Sequence, residues 1–232
     1  MADSDTAPRI PIIRLIMIPA LISLAMTLLR LAGELGHWSE KWFSTETGGT
    51  TPHGVSWVFG ITWLAAPFGI YFALRLIDAK ERPASAARAL AIAAVGMIIL
   101  VGFPYPLSTL PLRFPNVLIV IWLFMAIGGA LQYFAWPALF KVLLAYGLAA
   151  RIPVVIVMFF AMLGNWGTHY DYVGMPPQFA MPLVPRFLWL AFFPQLIFWV
   201  AFTIVVGSIC GTLAAAFIRI KPPAQSIDIA GI

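Results

Sequence analysis

Charge is what this sequence has least of. Of its 232 residues only 10% are Asp, Glu, Lys or Arg, against roughly 25% in a soluble domain of average make-up. A deficit of that size over the whole chain excludes water as the main solvent of the folded state and leaves the lipid bilayer. Cysteine is nearly missing as well. Cys210 is the sole one; it lies in an apolar segment and rules out an internal disulfide or a multi-cysteine metal site. No serine sits in a G-x-S-x-G elbow, and no P-loop or G-x-G-x-x-G follows a strand pattern, so acyl hydrolysis and nucleotide or dinucleotide binding lack their motifs. The net charge of +5 comes without any run of Lys and Arg interleaved with aromatics, which excludes nucleic acid as a partner.

What the chain does have is hydrocarbon, at 62% of its residues. A spanning helix needs about 20 predominantly apolar residues, and six such runs lie along the sequence, at 12–35, 55–77, 89–105, 116–136, 138–164 and 187–218. The expected fold is an all-α integral membrane protein, one polytopic transmembrane domain over 1–232 that bundles six transmembrane helices, with short flexible tails at 1–8 and 222–232. The first run is longer than the roughly 7–15-residue core of a signal peptide, so it reads as an uncleaved span. No internal repeat is visible, which leaves an inverted-repeat transporter unsupported.

Orientation follows from the basic residues. On one side fall Arg9, Arg14, Arg75, Lys80, Arg82, Arg88, Lys141, Arg219 and Lys221, nine in all, and on the other Lys41, Arg113 and Arg186, three. Cationic loops stay cytoplasmic, which puts both termini there. Ten arginines against four lysines, with abundant alanine, suggest a GC-rich bacterial genome. The expected location is therefore a cell membrane, multi-pass, the bacterial inner membrane in particular.

Polar groups are concentrated in two places. Along the first span Ser23, Thr27, Arg30, Glu34, His37 and Lys41 recur at spacings of three and four, one face of a helix that is otherwise Leu, Ile, Met and Ala. Such a stripe cannot face lipid without cost and should face the bundle interior or a watered cavity, although both hydroxyls can also bond back to their own helix. The second place is Leu163–Gly174, LGNWGTHYDYVG, which sets Asn165, His169 and Asp171 at the end of the fifth span. Arg151 lies within that span, just before Pro153. An arginine at that depth marks a substrate path or a structural ion pair, or else it snorkels or bonds carbonyls freed by the proline.

These residues make the candidate polar site Arg30, Glu34, His37, Arg151, Asn165, His169 and Asp171. Glu34, His37, His169 and Asp171 are expected to converge at one outer mouth, with Arg30 and Asn165 beneath them. No cofactor is evident. A divalent metal is a candidate ligand of His37, His169 and Asp171 by residue type, but no spacing rule such as HExxH is met. Three functions stay open. A small molecule or ion is bound or transported through a polar path that opens on the periplasmic face; the chain is an enzyme with an outer-face His/carboxylate site; or it is a structural or assembly subunit of a membrane complex. The lipid bilayer is the certain partner. Thr203, Gly207, Gly211 and Ala215 form a small-residue face suited to a homo- or hetero-oligomer.

Overall fold

The computed structural model describes residues 11–46, 55–102, 116–172 and 179–220. Among these every regular element is helical. In chain order they are α1 (Ile12–Leu35), α2 (Ala65–Asp78), α3 (Ala86–Gly102), α4 (Asn116–Ala135), α5 (Pro137–Gly164) and α6 (183–220, its last α-helical segment running Val200–Ile220). Four of them, α1, α4, α5 and α6, are long and apolar enough to cross a membrane. The two tails and His53 lie outside the described residues.

Burial on α1 runs opposite to that of a soluble helix. Ile13, Met17, Ile18 and Leu21 are more than half exposed, while Ser23 and Thr27 are fully buried. Water would penalise this arrangement, whereas lipid rewards it, and the chain is thereby marked as a membrane protein. Ser23 Oγ donates to the Pro19 carbonyl one turn back, so the Tyr146 hydroxyl 2.9 Å away on α5 must be the donor to Ser23. Thr27 Oγ1 likewise donates to the Ser23 carbonyl at 2.9 Å. The stripe therefore does face inward and does bond back to its own helix, but only as far as Glu34. α1 stops at Leu35, and His37 takes a left-handed backbone conformation (φ 49°). This turns His37 and Lys41 off the helix face that the spacing assigned to them.

The second run departs most from expectation. In place of one helix over 55–77 there are two 3₁₀ turns, Ser56–Phe59 and Thr62–Leu64, and α2 has only 14 residues. That is about 21 Å of helix, against a hydrocarbon core of about 30 Å. Hydrogen bonds and rings hold the turns irregular. Gly60 breaks out to an extended conformation, Trp63 Nε1 donates to the Val58 carbonyl, and Phe59 stacks on Phe43 from the loop after α1. Of α3, 17 residues are described, up to Gly102.

α6 begins at Leu183 and passes through two wide π-helical segments, Leu188–Phe192 and Pro194–Trp199, before it becomes regular. Pro194 has no N–H to give to the preceding turn and its ring crowds the carbonyl there, and a π turn relieves both problems. Further along α6 the small-residue face is occupied inside the chain. A side chain at Gly69 of α2 would land on the backbone of Gly207, one at Gly211 would meet Ala73, and Thr203 lies beside Gly147 of α5. Thr203 and Ala215 are buried as well, so these residues pack within the chain. Around the crossing Phe72, Leu139, Leu143 and Tyr146 form the centre of the core.

Candidate functional site

At one end of the bundle α1 and α5 finish and the chain enters α2 and α6. The polar residues collect there around Glu34. Its carboxylate is buried and accepts from both sides. Oε1 takes the Nε–H of Arg30, one turn earlier on α1, at 2.9 Å. Oε2 takes the backbone N–H of His169 at 2.9 Å. The His169 ring Nδ1 sits against the same carboxylate, 2.6 Å from Oε1 and 2.8 Å from Oε2. A carboxylate only accepts, so Nδ1 carries the hydrogen and Nε2 keeps the lone pair.

His169 reaches Glu34 because a single 3₁₀ turn, His169–Asp171, folds back over the end of α5. Asp171 builds that turn. Its Oδ1 accepts from the Thr168 N–H at 2.6 Å and from Thr168 Oγ1 at 2.9 Å, and its Oδ2 accepts from the Gly167 N–H at 2.9 Å. Tyr170 ties the turn to α1 by donating its hydroxyl to the Thr27 carbonyl at 3.1 Å. Burial pushes the His169 imidazole below its ordinary value; the Glu34 hydrogen bond opposes this, and the nearby Arg30 charge adds to it. His169 is accordingly neutral at pH 7. Burial raises the phenols of Tyr170 and Tyr172, so both remain protonated donors.

Deeper in the bundle, Arg151 stands at the midpoint of α5 with only 5% of its surface exposed. One guanidinium nitrogen donates to Gln195 Oε1 at 3.2 Å, the other to Thr62 Oγ1 at 3.4 Å, and the group lies 4.9 Å over the ring of Trp199. Gln195 is aimed by its own amide, which donates to Met158 Sδ at 3.5 Å. Among the described residues no carboxylate pairs with Arg151. Glu34 is engaged by Arg30 and His169.

A cavity of about 350 Å³ joins the two levels. Arg30, His169, Tyr170 and Tyr172 line its upper part, and Thr62, Arg151, Gln195 and Trp199 its deeper part. Of the seven expected site residues, Arg30, Arg151 and His169 face this cavity, and Glu34 stands behind Arg30 and His169. The other three do not line it. His37 is exposed beyond the end of α1. Asn165 is the exposed left-handed cap of α5 (φ 47°). Asp171 bonds within its own turn. Among the described residues no three of His, Cys, Asp and Glu lie close enough to hold a metal ion, so His37, His169 and Asp171 form no such set. Thr62, Gln195 and Trp199 were not singled out from sequence. Gln195 left a trace, as a polar residue next to a proline in an apolar run; Thr62 left none.

Fold and site together define an all-helical membrane protein with a polar cavity running from one end of the bundle to a buried arginine. Comparison with family models, with curated proteins and with solved structures found no match for the chain.

Proposed function

We propose that the protein binds a small molecule or ion in this cavity and passes or presents it across the membrane, with the mouth on the outer face. One observation carries the reading: the cavity extends from the Arg30–Glu34–His169 cluster down to Arg151 at mid-helix. Two physical points support it. A buried intramembrane arginine with no acidic partner among the described residues fits a substrate path. Backbone that departs from the α-helix, such as the two 3₁₀ turns over 56–64 that reach Arg151 through Thr62, is tolerated at that depth only where it is enclosed by protein or lines a watered space. The nine-to-three distribution of basic residues is the reason for placing the mouth outside, in a bacterial inner membrane.

The Glu34–His169 pair favours a second reading, an enzyme. A carboxylate that fixes the tautomer of a neutral imidazole, and leaves Nε2 as acceptor, is the arrangement of an oriented general base. No serine, cysteine or threonine is hydrogen-bonded to that ring among the described residues, so water would be the group it activates. The first reading is preferred because it also uses Arg151, Thr62 and Gln195.

Thiol labelling tests it. In a Cys210→Ser background, Thr62→Cys should react with a membrane-impermeant maleimide added to intact cells, more slowly than Lys41→Cys in the loop but to completion. If Lys41→Cys labels and Thr62→Cys does not, the cavity does not open outward to water and the proposal is lost.

A further inference from the structure

We infer that the ligand of this cavity is an organic monoanion, a single carboxylate or comparable acidic group held at Arg151 and joined to an apolar body about the size of one ring. The inference rests on the cavity being a ligand site and adds the chemical class of the ligand.

Charge comes first. Of the ionisable groups around the cavity, Arg30 is neutralised in direct contact by Glu34. Glu46 on the cavity wall is exposed to solvent and takes part in no ion pair among the described residues. His169 hydrogen-bonds to Glu34, and Tyr170 donates to a backbone carbonyl. One cation is left uncompensated, and it is the most deeply buried one. A buried charge needs a counter-charge, and the described residues supply none at Arg151. Beside Arg151 a cationic group would be repelled, and a dianion would exceed the single charge available there.

Geometry adds the shape. The hydrogen bonds of Arg151 to Gln195 and Thr62, at 3.2 and 3.4 Å, go to neutral acceptors. They are long beside the roughly 2.7–2.9 Å of a guanidinium on a carboxylate. They orient the group without saturating it, since a guanidinium carries more donors than these two. Trp199 covers the guanidinium at 4.9 Å, which leaves the in-plane edge, where a carboxylate binds in a fork. The walls above this edge include Trp57, Phe59, Ile61 and Val154. A bare inorganic anion would lose its hydration against those walls and gain only one cation. A ring or short aliphatic body fits a volume of about 350 Å³, near the lower end of small-molecule pockets.

The test uses the full chain in nanodiscs of zwitterionic phosphatidylcholine, with benzoate, its uncharged isostere benzamide and inorganic phosphate as calorimetric probes. Benzoate should bind saturably, and benzamide and phosphate at least tenfold more weakly. Gln195→Glu places an internal carboxylate on Arg151 without changing side-chain size. It should weaken benzoate at least tenfold while the unfolding midpoint stays level or rises, which answers the objection that Arg151→Gln simply fails to fold. Benzamide binding as tightly as benzoate, phosphate binding more tightly, or Gln195→Glu binding benzoate like the native chain would each overturn the inference. So would loss of benzoate binding in discs containing phosphatidylglycerol, since a lipid phosphate would then own the site. If none of the probes binds at millimolar concentration the monoanion is wrong, yet labelled Thr62→Cys still leaves the cavity standing. Failure of that labelling removes the cavity reading itself.

Discussion

Glu34 and Arg151 are two buried charges with opposite solutions. Glu34 is saturated within the chain by Arg30, the His169 amide and the His169 ring. Arg151 has only neutral partners among the described residues. The first is suited to hold a shape and the second to hold a ligand. His169 gives the residue scale a pH signature. Its imidazole titrates below the ordinary value in the folded chain, through burial first, while the unfolded chain has the ordinary value of about 6.5. Above that value both states are neutral and its contribution is constant. As the pH falls below it the unfolded state takes up the proton first, so stability falls with falling pH. The detergent-solubilised protein should therefore lose thermal stability between pH 7 and pH 5. His169→Gln, which keeps the amide bond to Glu34, should show a shallower decline. Parallel declines for the two proteins would mean that His169 is not the group responsible.

At the scale of elements, the crossing of α2 and α6 sets where everything else can stand. Glycines at 69, 207 and 211 let the two backbones touch, and close backbone approach is a main source of helix association inside lipid. Gly69→Ala should cost about 1–3 kcal/mol through overpacking against the Gly207 backbone. Gly102→Ala, near only the Ile98 side chain, should be neutral or stabilising by up to about 1 kcal/mol. The unfolding midpoint and the monodisperse fraction on gel filtration report both, and equal behaviour of the two variants would refute the contact. The π turns after Pro194 act on the same scale, since they set the register in which Gln195 meets Arg151.

For the whole molecule the property to test is orientation. α1 and α5 both end at the cavity mouth, and α2 and α6 both begin near it. An alternating path through the membrane has that property, and in the proposed topology the mouth lies outside. An alkaline phosphatase domain inserted after Lys41 should be active, and the same domain fused after Ile232 inactive. The reverse pattern would invert the proposed topology and move the mouth to the cytoplasm.

Composition alone determined the solvent, because 10% charge cannot clothe a water-soluble surface. Hydropathy and length determined the helices almost to the residue where a helix runs uninterrupted, as in Pro137–Gly164 against an expected 138–164. Helical periodicity likewise marked Ser23, Thr27, Arg30 and Glu34 as an inward face, since spacing on one helix is a local property. Tertiary structure decided the rest. The run at 55–77 is apolar enough for a span, yet the indole of Trp63 and the stacking of Phe59 on Phe43 pull its first third into turns. Those turns line the cavity. Nothing local tells Asp171, which closes its own turn, from His169, one side of the same turn, which crosses to Glu34. Nor does spacing reveal that the small residues of α6 meet α2 of the same chain, because a face shows what can pack closely and only the fold shows against what.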